Sequence, residues 1–586
     1  MKSVYAKRQH GAALLAMLVV LALGASWYLV SRLNADSGVA AATRNVRNAE
    51  VLNRAKLALI GFVATQAAEA GERNPGRLPC PEAASIIGTT DEGSSAPWVP
   101  APATATCSSI GRLPWRTIGL EKLVDSANEP LWYVVGPTWR LSTSTSTLLI
   151  NSNTTGDITV DGQQVVALII APGQAMNVQT ATGCTARNQA RSTPSSTMNP
   201  LDYIECFNSG TLQFITTASS TSFNDQVVRI TVADIMPAIE AAIANRIERE
   251  IVPALNTVYT PGAWGFSGGN PLYPYAAPFA SPGPGAGTSN FRGLAGTYQG
   301  LLPFNQTACT ASAANPRCLP SLIAWQATPA DAVEVYGYGY IQGTQTCSWQ
   351  ALGDVRQCLG SYHEDNADPA RPIRIEMTAT LNNVAMGLRM IDTSKITVEA
   401  KDDTVVGPWE SQPVTHTLTM NNGSVAGRPL GSVTITFGAT LPNIDIKNWG
   451  TYADFRIRID RTVIGDHPLL DTSTAAATGW FARNEWYRLT YYAVAAGHTA
   501  GTLPPSCTTG TNCLSIANVT PAGAQRAILI LGGRSINGTA RPSSTPANYL
   551  EFGNAIGAFT RNTVSASAAI PVAQRFNDRV VVIGSN

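Results

Sequence analysis

The residue pattern with the clearest catalytic form is a G-x-S-x-G motif at Gly265–Gly269. In hydrolases this motif places a serine nucleophile on a sharp turn between a strand and a helix, where the serine attacks an acyl carbon. Pro271, Pro274 and Pro278 follow the motif and prevent the helix that this geometry needs. We therefore interpret the segment as a glycine-rich loop, and we predict neither enzyme activity nor a cofactor for this chain.

A run of oxygen-bearing side chains, His363–Asp368, could bind Ca²⁺. Calcium-binding loops take their ligands at fixed positions, and this run lacks that spacing. The histidines of the chain are scattered singly, and no Cys-x-x-Cys spacing occurs, so the sequence offers no zinc site. A solvated turn is the preferred interpretation of the run, and no metal site is predicted.

Three aromatic residues, Tyr338, Tyr340 and Trp409, are candidates for contact with a ligand such as a surface glycan. An aromatic face with a polar edge can stack on a sugar ring, but aromatic side chains more often fill cores or line sheets. Both interpretations stay open at the level of sequence.

The cysteines indicate the compartment. The chain has 10 cysteines, which fall into short-range couples. We predict structural disulfides in an oxidising compartment, with buried free thiols as the alternative. The connectivity cannot be read from the sequence alone. The couples are Cys80 with Cys107, Cys184 with Cys206, Cys309 with Cys318, Cys347 with Cys358, and Cys507 with Cys513.

The composition excludes several function classes. A chain of 586 residues is too long for a single hydrophobic core. Charged residues make up 13%, against about 25% in a typical soluble protein. A net charge of +1 provides no field to hold nucleic acid, so no nucleic-acid partner is predicted. Because 44% of the residues are hydrophobic, the chain must fold, and it must do so in several domains.

Residues 12–30 are apolar and uncharged, and about 20 such residues span a bilayer as a helix. Lys2, Lys7 and Arg8 precede this stretch, so the N-terminus is expected in the cytoplasm and the remainder outside it. Apolar residues continue at spacings of three and four as far as Val63. The sequence therefore predicts one long helix over residues 12–72.

The segment Lys7–Gly11 followed by Ala12–Leu18 resembles the N-terminus of type IV pilins and type II secretion pseudopilins. The resemblance implies cleavage by a prepilin peptidase between Gly11 and Ala12, methylation of Ala12, and assembly with other pilins or pseudopilins. Most members of that family carry Glu at the fifth mature position, where this chain has Ala16. The large pseudopilin that caps the tip also lacks this Glu, so the departure points to a tip position. A plain single-pass anchor is the alternative.

The rest of the chain contains an internal repeat. Its most specific part is an F-N-D-x-V-V match between Phe223–Ile230 and Phe576–Ile583. Isoleucines at every fourth position from Ile235 predict an amphipathic helix at the start of the second copy. We predict two tandem units, each a helix followed by an antiparallel sheet; the alternative is that common strand composition imitates a repeat.

Residues 305–473 interrupt the second copy with alternating, β-branched runs separated by turn residues, which is typical of a β-sandwich. The predicted fold class is α+β, with a long N-terminal transmembrane and amphipathic helix, two tandem pilin-like units and a β-sandwich-like insertion. The predicted domains are a leader (1–11), the N-terminal helix (12–72, transmembrane over 12–30), a first pilin-like domain (73–232), a second one (233–304 plus 474–586) and the inserted domain (305–473).

These patterns lead to an expected function. The protein is predicted to be a minor pilin or pseudopilin at the tip of a type IV filament, where it primes assembly and contacts a surface glycan or a secreted substrate. The expected location is the inner membrane with a periplasmic domain, or the filament tip, of a Gram-negative-type bacterium. The alternative is a membrane-anchored periplasmic binding protein or hydrolase.

Overall fold

The computed structural model describes residues 42–585 with internal gaps and divides the chain into two compact units. Unit 1 comprises the chain up to Val63, Arg77–Leu148 and Thr155–Ile235. Unit 2 comprises Ala64–Gly76, Leu149–Thr154 and the chain from Met236. The longer gaps are 96–106, 141–148, 179–186, 192–198, 260–272, 305–331, 365–373, 421–432, 441–450, 471–477 and 500–506.

The fold class predicted from the sequence was wrong. The structure is rich in antiparallel sheets, and its first described helix, α1, covers residues 42–68. Among the residues that the structure describes, no helix combines the length and apolarity needed to cross a bilayer. The predicted leader and the segment 12–30 lie outside those residues. Helix α1 carries Arg44, Arg47 and Arg54 beside its apolar side chains, which suits packing through one face rather than burial in lipid.

The apolar stripe predicted along α1 divides into two faces. Leu52, Ala55 and Leu59 are buried, whereas Val46 and Leu57 are each 69% exposed. In an α-helix, two side chains that are three residues apart point in directions that differ by about 60° around the helix axis. Three such steps in succession, at residues 46, 49, 52 and 55, turn the stripe by about 180°. The N-terminal part of the stripe therefore faces solvent, and its C-terminal part faces the protein.

Polar contacts fix α1 in unit 1. The Lys56 ammonium lies 2.9 Å from the Asp234 carboxylate and donates to the carbonyl of Arg229 at 3.1 Å. The Arg54 guanidinium contacts both carboxylate oxygens of Glu121. These contacts tie the helix to the last strand of the sheet and to the loop before the second strand.

Unit 1 contains a four-stranded antiparallel sheet in the order β1-β2-β5-β9. Strands β2 and β5 are apolar along their whole length and fully buried, as expected for strands covered on both faces. On one face they contact a hydrophobic cluster that includes Ile158, Tyr203 and Phe214. The strands of unit 1 are β1 (Ile110–Arg112), β2 (Trp132–Val135), β3 (Ile158–Val160), β4 (Gln163–Val165), β5 (Ala167–Ala171), β6 (Asn177–Val178), β7 (Arg187–Asn188), β8 (Gln213–Phe214) and β9 (Gln226–Ile230).

A helical segment follows β9: α2 (Val232–Arg246), a π-helix (Ile247–Ile251) and α3 (Val252–Tyr259). Pro253 lies in the first turn of α3, where its missing N–H costs least, and the wider π-turn directly precedes it. A short helix, α4 (Gly479–Arg483), lies later in the chain. The 3₁₀-helices are Ala84–Ile86, Pro200–Asp202, Thr288–Phe291, Thr393–Lys395, Pro468–Leu470, Trp486–Leu489, Ala496–His498, Pro546–Asn548, Phe552–Ile556 and Val572–Gln574.

A buried ion pair connects α2 and α4 in unit 2. The guanidinium of Arg246, fully buried, makes two hydrogen bonds of 2.9 Å to Glu250 and lies 4.1 Å from the ring centre of Trp480. The indole N–H of Trp480 donates to the same carboxylate at 2.7 Å. Each polar group is therefore paired, as burial requires.

Unit 2 begins its sheets with β10 (Gln299–Leu301) and continues into two five-stranded antiparallel sheets. Their orders are β12-β11-β15-β20-β19 and β13-β14-β21-β17-β18, and β16 pairs with β22. The strands are β11 (Ala332–Gly337), β12 (Tyr340–Thr346), β13 (Gln350–Leu352), β14 (Val355–Glu364), β15 (Arg374–Leu381), β16 (Arg389–Ile391), β17 (Ile396–Asp402), β18 (Glu410–Gln412), β19 (Val414–Met420), β20 (Val433–Thr440), β21 (Thr451–Asp460) and β22 (Ile464–Asp466).

The strand period of two is visible in β21. Phe455, Ile457 and Ile459 are fully buried, and the intervening Arg456 contacts the carboxylate of Glu399 on β17. Alternation of this kind places apolar side chains on one face of a sheet and charged side chains on the other.

The chain then returns to β10 and completes a second four-stranded antiparallel sheet, β10-β23-β24-β25. The added strands are β23 (Thr490–Val494), β24 (Gln525–Leu531) and β25 (Arg579–Ser585). This sheet has the order and strand directions of the sheet in unit 1, and the same register except where β24 bulges at Ala527. One row of paired residues is Arg112, Trp132, Ile170 and Val227 in unit 1, and Leu301, Tyr491, Ile530 and Val580 in unit 2.

Candidate functional site

A buried pair of carboxyl groups lies at the start of β9 in unit 1. The N–H of Glu205 donates to Asp225 Oδ2 at 2.8 Å, and the N–H of Asp225 donates to Glu205 Oε2 at 3.1 Å. The Asn224 N–H also donates to Glu205 Oε2, at 3.0 Å, and the Gln189 amide donates to Oε1 at 2.5 Å. The pair links the 3₁₀-helix before Tyr203 to the strand.

The same pair occurs at the start of β25 in unit 2. The N–H of Glu551 donates to Asp578 Oδ2 at 2.9 Å, and the N–H of Asn577 donates to Glu551 Oε2 at 3.1 Å. The Asn554 amide adds a third bond, to Asp578 Oδ2 at 2.9 Å. Both clusters contain a Glu and Asp pair with two matching main-chain bonds, from the Glu N–H to the Asp and from the Asn N–H to the Glu, so the internal repeat extends to polar contacts.

Burial sets the ionisation of each pair. It raises the pKa of Asp225 well above its ordinary value, and the neighbouring Glu205 carboxylate raises this pKa further. Burial also raises the pKa of Asp578 well above its ordinary value, again with a contribution from Glu551. Two carboxylates in contact in a low-dielectric site repel strongly, which favours protonation of one carboxyl group in each pair.

Each carboxyl pair has an arginine near it. Arg191 donates to the carbonyls of Gly173 and Asp202 at 2.5 and 3.1 Å, and its guanidinium lies 5.0 Å from the ring centre of Tyr203. In unit 2, Arg541 donates to the carbonyls of Gly533 and Asn548 at 2.7 and 2.6 Å and lies 4.6 Å from the ring centre of Tyr549. Each arginine thus joins the loop after the third strand of its sheet to a 3₁₀-helix.

Asn224 and Asn577 also belong to the two clusters, and the side chain of each lies against a glycine. Asn224 donates to the Gln174 carbonyl at 2.8 Å, and Asn577 to the Arg534 carbonyl at 2.6 Å. A Cβ atom at Gly173 would come within 2.8 Å of the Asn224 side chain, and one at Gly533 within 2.4 Å of Asn577. Because these groups are buried and bonded to the main chain, we interpret both clusters as structural joints rather than catalytic sites.

A pocket of about 450 Å³ lies beside the first two strands of unit 1. Ala84, Ile110, Arg112, Trp132 and Pro200 contribute to its lining. The indole of Trp132 is 2% exposed and also packs in the hydrophobic cluster of the unit. This pocket is the main candidate for a binding site in unit 1.

The sequence-predicted binding residues are not brought together. The processing residues Gly11 and Ala12, and also Tyr338, lie outside the described residues. Tyr340 begins β12 in one five-stranded sheet, whereas Trp409 directly precedes β18 in the other. Arg456 and Lys401 place their charged groups 4.4 and 5.0 Å from the ring centre of Trp409, so two cations already contact that indole.

The G-x-S-x-G motif at Gly265–Gly269 lies outside the described residues. His363 belongs to β14, opposite Tyr452 of β21, and the acidic residues that follow Glu364 lie outside the description. Within the described part of the chain, no cluster of three or more histidine, cysteine or acidic residues could hold a metal ion.

The structure contains disulfides between Cys80 and Cys107 and between Cys507 and Cys513. Cys206 and Cys358 are also disulfide-bonded, and no cysteine in the described ranges is free. The remaining predicted partners, Cys184, Cys309, Cys318 and Cys347, lie outside the described residues.

Sequence reasoning used the F-N-D motif as a marker of the repeat and missed its polar partners. A second signal was present: P-x-x-Y-[IL]-E occurs at Pro200–Glu205 and again at Pro546–Glu551. Each occurrence contributes the tyrosine and the glutamate of a cluster.

Comparison with known proteins found no matching family model, no matching curated protein and no matching solved structure.

Proposed function

We propose that this protein is a non-enzymatic structural component of an extracytoplasmic filament, a subunit of the pilin or pseudopilin type present at low copy number at the filament tip. Its partners would be other pilins or pseudopilins, after processing by a prepilin peptidase at the inner membrane. The duplicated units and the disulfides support a rigid exported scaffold rather than an enzyme.

One observation carries the proposal: α1 has apolar side chains on two sides, and the described part of the chain buries only one of these sides. Leu52 and Leu59 pack against unit 1, while Val46 and Leu57 lie on the opposite side at 69% exposure. Ala42 and Ala49 are exposed beside Val46, and the polar Glu50 and Asn53 lie between Val46 and Leu57 on this side. An apolar stripe on a helix is stable in water mainly when another helix or surface covers it. Side-by-side packing with the helix of another subunit would cover this stripe.

The experiment is to determine the mature N-terminus of the full-length chain, expressed in cells that contain a prepilin peptidase. Cleavage after Gly11 with methylation of Ala12 is expected, and Gly11→Leu should leave the chain uncut. Gly24→Leu, a glycine in the same apolar run, is the matched control and should be cut normally. An intact Met1 in the wild-type protein, or normal cleavage of Gly11→Leu, would contradict the proposal.

The inserted strands would supply contact with a glycan or a secreted substrate at the tip, because binding functions concentrate in additions to a rigid scaffold. The alternative function, a membrane-anchored periplasmic binding protein, is favoured by a separate observation, the 450 Å³ pocket in unit 1. A pocket of that size suits a small group.

A further inference from the structure

Because the sheets of the two units match, a position in one unit can be compared with the equivalent position in the other. In unit 1, Glu82 forms an isolated antiparallel bridge with Arg112 of β1; in unit 2, Ala277 forms the same bridge with Leu301 of β10. Arg112 and Leu301 occupy the same place in their sheets. The segments that start at Glu82 and Ala277 therefore leave the sheet from equivalent places, although a 3₁₀-helix begins at Ala84 only in unit 1.

In unit 2 this segment places an aromatic ring on the sheet. Phe279, two residues after Ala277, stacks on Tyr491 with ring centres 5.5 Å apart and planes inclined by 16°. The same ring lies 6.0 Å from that of Tyr549. The space that remains beside these residues is about 120 Å³. Unit 2 thus fills a slot on its sheet with its own phenylalanine.

In unit 1 the equivalent position is Ala84, two residues after Glu82. Trp132 takes the place of Tyr491, and its ring contacts Tyr203, the equivalent of Tyr549, at 4.9 Å. Ala84 and Trp132 both line the pocket of about 450 Å³. The pocket therefore occupies the slot that an aromatic ring fills in unit 2.

Two hydrogen-bond donors accompany this slot. Trp132 Nε1 and Arg112 Nε are both buried, and neither has an acceptor among the residues that the structure describes. Neither nitrogen is accessible to solvent, so an occupant of the slot could accept from them only after the side chains shift.

We infer that this pocket binds an aromatic side chain of a partner polypeptide. The ring would lie against Trp132 as Phe279 lies against Tyr491. A polypeptide is preferred to a free aromatic compound because the occupant in unit 2 is itself a side chain on an extended segment. This binding site goes beyond the proposed structural role and does not depend on it.

The test uses the full chain and three probes: N-acetyl-L-phenylalaninamide, N-acetyl-L-leucinamide and benzyl alcohol. The readout is the shift of the Trp132 indole N–H resonance, assigned by its loss in Trp132→Phe. We expect saturable binding of the phenylalanine probe, and weaker binding of the other two. Ala84→Phe should lower affinity for this probe by about tenfold or more, since it supplies the ring from within the chain.

A complementary variant tests the comparison of the two units. Phe279→Ala should open the slot in unit 2 and add a second binding event for the phenylalanine probe, with Ala84→Phe/Phe279→Ala retaining only that new event. Thermal unfolding of Ala84→Phe checks that the fold is kept, because filling the pocket should not lower the unfolding temperature. Equal affinity for the leucine probe, unchanged affinity in Ala84→Phe, or no binding by the wild type would overturn the inference. Benzyl alcohol binding as tightly as the phenylalanine probe would overturn the assignment to a polypeptide.

Discussion

Glu205 and Asp225 hold each other through reciprocal main-chain bonds: the Asp225 carboxylate accepts the Glu205 N–H at 2.8 Å, and the Glu205 carboxylate accepts the Asp225 N–H at 3.1 Å. This arrangement fixes two carboxyl groups beside each other in the interior of unit 1. Protonation of one of them relieves their repulsion, so we expect the stability of unit 1 to depend on pH.

We predict that unit 1 is most stable in mild acid and weakens as the pH rises. The pKa of Asp225 is raised in the folded chain above its unfolded value of about 4, so the folded state binds the extra proton. Its contribution to stability is fully present below about pH 4 and is lost as the pH rises through the raised pKa. Asp225→Asn should flatten this dependence, since an amide can donate to Glu205 at every pH.

The measurement is the urea midpoint of unfolding between pH 4.5 and 8.5, followed with a probe in unit 1. Asp91→Asn, at an exposed aspartate of the same unit, is the matched control and should follow the wild-type profile. A wild-type midpoint that rises steadily with pH, or an Asp225→Asn profile that equals the wild-type profile, would contradict protonation of the pair.

A second prediction concerns the glycines that contact the asparagines of the two clusters. A Cβ at residue 533 would come within 2.4 Å of Asn577, so Gly533→Ala must displace a bonded side chain and should lower the free energy of unfolding by about 1–3 kcal/mol. Gly173→Ala should cost as much or more, because Gly173 also has a φ of +63°.

The control for both variants is Gly61→Ala on α1, where a Cβ would meet nothing within 4 Å. Alanine is the better helix former, so this variant should gain about 0.5–1 kcal/mol. Chemical denaturation of the three variants measures the differences. Equal stability of Gly533→Ala and Gly61→Ala would show that the close packing around Asn577 does not constrain the loop.

A third prediction separates the two faces of α1. Val46→Asp should leave the unfolding temperature of the isolated chain nearly unchanged, because Val46 is 69% exposed, but it should reduce incorporation into filaments. Leu59→Asp, at a fully buried position, should destabilise unit 1 by several kcal/mol through an unpaired buried charge. Asn45→Asp adds the same charge at an exposed polar position about 100° around the helix from Val46, where the carboxylate can still accept from Gln226, and serves as the control. Normal incorporation of Val46→Asp would remove the argument for helix-to-helix assembly.

Local sequence patterns located much of the secondary structure but not the face that each element presents. The isoleucines from Ile235 onward predicted a helix, and Ile235, Ile239 and Ile243 are buried on α2. The prediction of a single apolar face on α1 was wrong because the apolar residues between 46 and 55 are spaced by three. Spacings that alternate between three and four would have kept them on one face. The predicted fold class was wrong because it gave the apolar N-terminal pattern the main place in the architecture. The described residues form mostly antiparallel sheets.

The polar clusters could not be derived in the same way, because their members lie far apart in the chain. Glu205 meets Asp225 across 20 residues, and Glu551 meets Asp578 across 27. The sequence shows that the F-N-D and P-x-x-Y-[IL]-E motifs both recur. The contact within each carboxyl pair is visible only in the folded structure. The aromatic slot was equally hidden, since Ala84 is informative only when it is placed beside Phe279 through the matched sheets.

The last prediction concerns His467, which connects the β16–β22 pair to α3. Its Nδ1 accepts the Leu469 N–H at 3.0 Å, and its Nε2 donates to the Ala254 carbonyl at 3.2 Å. The ring is therefore neutral with the proton on Nε2. Burial lowers its pKa to about 4, below the unfolded value of about 6.5. A second proton would have to displace the Leu469 N–H from Nδ1.

Because the folded pKa is the lower one, the contribution of His467 to stability is fully present above about pH 6.5 and is lost as the pH falls through about 4. The difference corresponds to at most about 3 kcal/mol. We expect hydrogen exchange at the Leu469 amide, corrected for intrinsic rates, to show falling protection between pH 6.5 and 4. His467→Gln should lose about 1–2 kcal/mol at neutral pH through weaker bonds, yet decline less steeply in acid. His416→Gln, at an exposed histidine of the same unit, should keep the wild-type decline. If His467→Gln loses stability in acid as steeply as the wild type, His467 does not govern the attachment of this strand pair to α3.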